Sequence, residues 1–597
     1  MLRIISSAGS FGIPLTILTL LLVVLILRAS WHARRASDHP DAAVDEGRAA
    51  ILFWGFVAAI LGFLGQCAAL YHALGTVIEA KALDPTVLAE GFATSFVTTL
   101  WGVGLLLLAG LAWLSLRWLA RSRAPVVAML LLSLVGVFGC GSNSAQAPVD
   151  ITKGVWAGSA GGDTFLFDLR GAPPDSLVGT VHVMRDGKMT SELAITRASY
   201  HAPALEMFIE STNATYKGRV DASRRRITGG LTFGGAPGSQ MELRWTDPKG
   251  LPGFAALPGD AAYVYRKPAD GSDGWQTATP EEVDMDRGAV TAMVNDIARD
   301  SAGLIQSLQI VRHGKLVVDE YFHGYGPDDL HRLRSATKSI SSLLVGAAID
   351  RGLISGVDAP ILGLLHRPEA PAGSLWNDET LADLLTMSMG LDWSAHESLT
   401  VLGTGPAFFE KVLGRKVTAT PGTQFSYASA NVSLLAGVIF NATGKHAEAF
   451  AREVLFSPLG IGRYDWAHGK TDGYNHMDSS LALRPRDLAK IGALVAAGGR
   501  WDGRQVISEA WIKESTRTHI ATGGSPALGG YGYLWWTGQA PSGHGTQPLI
   551  AAVGMGSQFT IIFPQLDMVV VVTGGNGDNG REMDVGRVLF RTLLPSM

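Results

Sequence analysis

Cysteine is nearly absent from this chain: 597 positions hold two, Cys67 and Cys140, both in the apolar first quarter. The remainder must fold without an intramolecular disulfide or a thiolate-ligated metal. A surplus of charge is also missing, since 49 Lys and Arg stand against 53 Asp and Glu, with a net charge of −4 and the basic residues scattered. No field of the kind that draws nucleic acid exists, so no nucleic-acid partner is expected. The 15 histidines, among them His313, His323, His331 and His366, show no zincin spacing and no metal-binding cluster. Neither a metal nor a cofactor is implied.

Charge is missing locally as well. No Asp, Glu, Lys or Arg interrupts three apolar runs, about Phe11 to Leu27, Ile51 to Tyr71 and Phe96 to Leu116. Each is near the length that crosses hydrocarbon as a helix. Arg28, Arg34, Arg35 and Arg48 lie between the first two runs, and Arg117, Arg121 and Arg123 follow the third, whereas the loop from Tyr71 to Ser95 carries only Lys81. The positive-inside bias then turns the N-terminus and that loop outward. A fourth, shorter run, Val126 to Val137, would carry everything after it across the membrane. It ends in Val137-Phe138-Gly139-Cys140, and basic residues, an apolar stretch and that tetrapeptide together resemble a bacterial lipoprotein signal with Cys140 as its acylated residue. A thin fourth span with an incidental cysteine is the other reading. Thr94, Thr98 and Thr99 entering a run with Gly102 and Gly104 faintly resemble the channel helices of the MotA/TolQ/ExbB family. Small residues at a helix interface explain the same pattern, and the charge-free runs favour simple anchoring in membrane lipid.

At this length two or three separately packed regions are expected. Residues 1–124 read as the three-span helical region and 125–147 as the short apolar segment with the lipobox-like end. Over 148–250 short alternating stretches such as Thr164 to Leu169 and Leu205 to Ile209, separated by Gly-rich turns, predict an antiparallel sheet or small barrel. Trp156, Phe165 and Trp245 are its candidate core. Residues 251–280, rich in Pro, Gly, Asp and Ala, read as a linker, and 281–597 as a final, larger domain.

Within 281–597, Leu304 to Val311 and Lys315 to Phe322 read as a hairpin, and Arg334 to Asp350 as a helix with Ser335 at its head. In Ser335-Ala336-Thr337-Lys338 the i,i+3 spacing sets a hydroxyl and an amine on one helical face. A neutral Lys338 could then accept the hydroxyl proton, while the amides at the helix head favour the negative charge that develops on an attacked carbonyl. A lone Ser-x-x-Lys is weak evidence in a chain of this size, although this one contains a single copy. Two further elements follow. Tyr427 stands in the turn Pro421-Gly422-Thr423-Gln424-Phe425-Ser426-Tyr427-Ala428-Ser429-Ala430-Asn431. The stretch Ala551-Ala552-Val553-Gly554-Met555-Gly556-Ser557-Gln558 leads into two strands, and its glycines let backbone N–H groups approach a substrate.

These three ordered elements resemble the serine β-lactamase and penicillin-binding-protein superfamily, in particular its class C-like β-lactamase-related branch. Leu384 to Trp393, Arg484 to Ala489 and Tyr531 to Trp536 agree with it. The resemblance implies an α/β (α+β) fold, an antiparallel sheet flanked by helices. It also implies Ser335 as nucleophile, Lys338 as its base and Tyr427 as proton shuttle, with the amides of Ser335 and Met555 as oxyanion hole and Ser429, Asn431 and Gly554 around the substrate. Two departures matter. Ser429 takes the place of the usual asparagine of Tyr-x-Asn, and Ala552-Val553-Gly554 stands where Lys-Thr-Gly or His-x-Gly is usual, with no lysine after Lys513. Losing a charge-assisted hydrogen bond of roughly 1.5–3 kcal/mol lowers affinity for a substrate carboxylate about ten- to a hundredfold. β-Lactamase and D-alanyl carboxypeptidase activities therefore rank below hydrolysis of a small ester, linear amide or peptide. Tyr-x-Ser with an apolar residue before the strand glycine is similar to the nylon-oligomer (aminohexanoate) hydrolases and related esterases. The expectation is a hydrolase held at a bacterial cell membrane, its catalytic domain on the extracytoplasmic, periplasmic side. A catalytically silent scaffold that binds cell-wall fragments is the rival from another class.

Overall fold

The computed structural model describes residues 11–35, 41–80, 85–119 and 150–597, leaving aside 153, 172–176, 222–224, 235–237, 248–250, 258–261, 300–301, 395–396, 398–402, 471 and 578–579. The lipobox-like segment and Cys140 lie outside the described residues. The chain forms two compact units, Met1–Ser144 and Ala145–Met597.

The first unit holds three helices: α1 (Gly12–Arg35), α2 (Asp41–Ala80) and α3 (Pro85–Leu119). Small residues bring α2 and α3 together. A Cβ added at Gly62 would lie 2.5 Å from the Thr98 carbonyl oxygen, and one at Gly102 2.4 Å from that of Ala58, so glycine is what permits this approach of two backbones. Thr99 donates across the same seam to Gln66 Oε1 at 2.6 Å. The stretch Ala49–Ala68 is long and apolar enough to cross a bilayer, while Ile13–Ala29 and Thr98–Leu114 are shorter apolar helical stretches. Leu15, Leu22, Ile51 and Ala109 are buried between the helices, yet Ile17, Leu20, Phe53, Phe56, Phe63 and Leu107 face outward, each at least half exposed.

The second unit opens with a β-meander: β1 (Val155–Ala160), β2 (Asp163–Arg170), β3 (Leu177–Arg185), β4 (Lys188–His201), β5 (Ala204–Ile209), β6 (Ala214–Asp221), β7 (Arg226–Phe233) and β8 (Gln240–Thr246). Neighbours pair antiparallel in the order 4-3-2-1-8-7-6-5, and β4 also pairs with β5, which closes the sheet into a barrel. Closure removes the exposed edges that an open sheet would offer for aggregation. The lumen is filled, not open. Trp156, Phe167, Val181, Met207, Tyr216 and Ile227 form its core, with the Trp156 indole donating to Ile151 O at 2.9 Å. Of the expected aromatics, Trp156 is central, and Phe165 and Trp245 pack at its margin.

The catalytic region is built on an eight-stranded sheet. Its main strands are β9 (Ile305–Arg312), β10 (Lys315–Tyr321), β11 (Trp536–Ser542), β12 (Gly545–Gly554), β13 (Gln558–Phe563) and β14 (Met568–Gly574), in the order 10-9-14-13-12-11, followed by two short strands at 530–531 and 520–521. The central strands are buried along their whole length, as near-continuous apolar sequence requires when both faces are covered. Period two sorts them between two cores. Val569, Val571 and Ile562 face one core, which also takes the helices α5 (Thr337–Asp350), α6 (Leu434–Thr443) and α7 (Pro485–Ala496). Val570, Val572, Ile561 and Phe563 face the other, with α4 (Arg287–Ala298) and α8 (Asp584–Thr592). This is the α/β arrangement of helices around an antiparallel sheet that the motifs implied.

The stretch expected as a linker, 251–280, has little regular structure, as its Pro and Gly content suggests, but it is fastened down. Tyr263 and Trp275 are buried in separate cores of the catalytic region, and the Trp275 indole donates to Arg486 O at 3.2 Å. Arg486 in turn bridges Asp273 and Asp319 at 2.7 and 2.9 Å. Apolar anchors spaced twelve residues apart show neither helical nor strand periodicity, so nothing local in the sequence announces that this coil packs.

Candidate active site

Ser335 lies in a turn of 3-10 helix, Arg334–Ala336, that runs directly into α5. Arg334 has φ +50, a left-handed conformation that is costly for a residue with a Cβ and concentrates at functional turns. One turn on, Lys338 is buried at 1 % exposure. Its Nζ lies 3.0 Å from Ser335 Oγ, 3.0 Å from Ser429 Oγ and 2.8 Å from the Asp478 backbone oxygen. Three oxygens suit both forms of the amine. An ammonium donates to all of them, and a neutral amine donates to the carbonyl and Ser429 while its lone pair accepts the Ser335 proton.

Tyr427 is brought to the same place by the turn that precedes a short helix, Ser429–Val432. That turn is pinned from below, Ser426 N donating to Met387 O at 2.7 Å and Gly422 N to Ser388 O at 2.9 Å. The Tyr427 ring centroid is 5.2 Å from Lys338 Nζ. The ring stacks on Trp536 at 5.9 Å, over a floor of Phe425 and the buried Tyr531. Burial, with Tyr427 beside it, pushes the Tyr531 hydroxyl well above the ordinary phenol range. Tyr531 therefore stays neutral, while among the described residues no hydrogen bond occupies the Tyr427 hydroxyl.

The end of β12 closes the third side. A Cβ at Gly554 would lie 2.1 Å from Leu333 O and 3.1 Å from Ala336 N, so only glycine lets this strand end abut the Ser335 turn. Met555 follows, its side chain 57 % exposed, then Gly556 and Ser557 at φ +85 and +65, and Gly554 pairs back with Gln558. The structure thus gathers Ser335, Lys338, Tyr427, Ser429 and the Gly554–Met555 corner. Asn431, on the same short helix as Ser429, is buried, and its side-chain oxygen accepts from the Trp393 indole at 2.7 Å. Two partners escaped sequence reasoning. Asp478 contributes through its backbone, which no residue type encodes; Trp536 ends the Tyr531–Trp536 phrase, where a cluster of aromatics gives composition but not geometry.

Residues 293–587 match the Beta-lactamase family. The chain is 26 % identical over 320 residues to the 6-aminohexanoate-dimer hydrolase of Paenarthrobacter ureafaciens, covering 49 % of this chain and 79 % of that protein. Among solved structures, a penicillin-binding-protein homologue from Caulobacter crescentus is 16 % identical with a TM-score of 0.40, covering 51 % of this chain and 97 % of that one. A family VIII carboxylesterase is 17 % identical with a TM-score of 0.40 and the same two coverages of 51 % and 97 %.

Proposed function

We propose that this chain, a serine hydrolase of the β-lactamase and penicillin-binding-protein-like superfamily over residues 293–587, cleaves an ester or linear amide through an acyl-enzyme on Ser335. The observation that carries the reading is the approach of Lys338 Nζ to Ser335 Oγ, 3.0 Å, with the Tyr427 ring 5.2 Å from the same nitrogen. Lys338 as the neutral amine takes the hydroxyl proton as Oγ bonds to the substrate carbonyl carbon. The resulting oxyanion accepts from the amides of Ser335 and Met555. Collapse breaks the bond to the alkoxide or amine, which receives a proton through Tyr427; water then enters by the reverse route and releases the acid.

Two features support an ester or linear amide over a β-lactam or D-alanyl peptide. The strand preceding Met555 reads Ala552-Val553-Gly554 and no lysine follows Lys513, so the cation that would hold a substrate carboxylate there is missing. A curated relative is, by its name, a 6-aminohexanoate-dimer hydrolase.

Membrane anchoring belongs to the same proposal, with the hydrolase on the extracytoplasmic side. Ile17, Leu20, Phe53, Phe56, Phe63 and Leu107 all face outward, each more than half exposed, and lipid is the partner that fits such an apolar face.

An alkyl fluorophosphonate tests the chemistry. Wild type is expected to be labelled and Ser335→Ala is not. A wild-type chain that resists the reagent would favour the silent scaffold.

A further inference from the structure

The barrel touches the catalytic region along the first half of β4. Met189 N donates to His323 O at 3.2 Å and Glu192 N to Gly575 O at 2.7 Å. A two-residue strand, Asn576–Gly577, pairs in parallel with Glu192 and Leu193, and Lys188 Nζ meets Asp329 at 2.5 Å. The fit is close: a Cβ at Gly575 would sit 2.5 Å from Thr190 O.

One buried amide side chain, that of Gln306, receives this strand directly, and a second, that of Asn576, belongs to the two-residue strand paired with it; each leads to one wall of the site. Gln306 Nε2 donates to the carbonyls of Met189 and Thr190, both at 3.1 Å. Since both partners only accept, that end of the amide is the NH2, and its oxygen is left for His331 Nδ1 at 3.1 Å, which must therefore carry the proton. Burial holds the His331 imidazole neutral, its pKa lowered to about 4. His331 opens the segment that reaches Ser335 four residues later. Asn576 takes the other wall. Its oxygen accepts from Leu304 N at 2.8 Å, and its nitrogen donates to Ala302 O at 3.2 Å and Ser557 Oγ at 2.9 Å. Ser557 donates onward to Glu582 O at 2.8 Å, which holds its left-handed backbone in place two residues after Met555.

We propose that the barrel is a working part of the active site: through β4, and by way of Gln306 and Asn576 as positioning residues, it sets the two backbone amides, Ser335 N and Met555 N, that receive the oxyanion. The proposal rests on the reading of Ser335 as nucleophile. An oxyanion hole acts only when its donors are aimed before the charge appears, and small misplacement costs rate, not ground-state binding. A barrel clamped to both walls at once fixes the gap between them.

The test uses the full-length chain in detergent. Gln306→Glu keeps an acceptor for His331 but faces the two barrel carbonyls with oxygen in place of N–H. Asn576→Asp keeps the acceptor for Leu304 N and loses the donors to Ser557 and Ala302. For a p-nitrophenyl ester, kcat is expected to fall about ten- to a hundredfold in each variant with KM within about twofold. The inhibition constant of an aryl boronic acid, whose serine adduct places an oxygen in the oxyanion hole, should rise in proportion to KM/kcat. Ser557→Ala, a milder change, supplies the same measurement if either variant fails to fold. Unchanged kcat and boronate affinity with only a lowered Tm would overturn the proposal, and so would a rise confined to KM. Failure of the nucleophile reading looks different, because wild type itself would then escape fluorophosphonate labelling.

Discussion

Helices α2 and α5 break the usual rule of burial in opposite directions. Along α5 the inside is polar: Thr337, Lys338, Ser339, Ser341 and Ser342 are all buried. Most of these groups are spoken for. Ser339 donates to Leu534 O at 2.6 Å, Ser341 to Met477 O at 2.7 Å, and Thr337 accepts from Leu481 N at 3.3 Å. Along α2 the outside is apolar, with Phe53, Phe56, Ile60 and Phe63 each more than half exposed. Exposed single apolar residues are ordinary, whereas buried polar groups and contiguous apolar surface are not. Together the two helices teach that departure from the rule points to the places where we propose function, a reaction centre in one case and a lipid-facing surface in the other.

The hardest blow to that comparison falls on Lys338. Lys338→Met keeps the length of the side chain and removes the amine, so kcat is expected to drop at least about a thousandfold, as when a nucleophile loses its base. Stability should move by less than about 3 kcal/mol, because the lost contacts are hydrogen bonds to Ser335 Oγ, Ser429 Oγ and the Asp478 carbonyl and an apolar chain fills the space. Measured ester turnover and chemical unfolding separate the two effects. Unfolding of the variant with activity retained per folded molecule would make the buried amine structural.

Next in size is a charge on the outer face of α2. Phe56 is 57 % exposed near the middle of Ala49–Ala68. Phe56→Asp costs about 2.5–3.5 kcal/mol if that face meets hydrocarbon and almost nothing if it meets water. The expected outcome is a shift from the membrane pellet to the soluble fraction on carbonate extraction, with ester turnover of the released protein retained. An unmoved distribution would leave α2 an ordinary apolar helix.

What could be read in the chain beforehand follows the reach of each interaction. Ser335 and Lys338 are one helical turn apart, so their meeting is written in local spacing, and Tyr427 follows from a turn that resembles a superfamily motif. The strands of the barrel show alternation, but its closure depends on β4 pairing with β3 along its first part and with β5 over its last residues, 197–201, and alternation alone is silent on where one strand changes partner. The Asp478 contact to Lys338 is made by a backbone carbonyl, invisible in any residue code. Asn431 shows the same limit: an amide near the motif can bond a neighbour as readily as a substrate, and the Trp393 indole donates to its oxygen, a partner that no local spacing announces. The anchoring of 251–280 depends on two isolated aromatics whose partners are more than 200 residues away in the case of Trp275 and Arg486.

Glu379 offers the finest test, since it is buried and polar yet has none of the partners that α5 provides. Its exposure is 0 %, and among the described residues neither carboxyl oxygen has a hydrogen-bond partner. Burial, and then the negative charges of Asp383 and Asp378, raise its pKa from 4.5 to about 9. The folded protein therefore keeps a proton that the unfolded chain releases near pH 4.5. Between those values the folded state binds more protons, so stability falls as pH rises through the window and levels off above about 9. Glu379→Gln carries no charge at any pH. Wild type and variant should unfold alike below pH 4.5 and diverge above it, the variant becoming the more stable by up to about 6 kcal/mol at pH 9, at about 1.4 kcal/mol for each pH unit of the window. Denaturant unfolding of the full chain at pH 4.5, 7 and 9 reads that divergence directly. Parallel curves would mean that Glu379 ionises as it does in water, and that burial without partners is tolerated here at no cost, which would remove the contrast with the satisfied hydroxyls of α5.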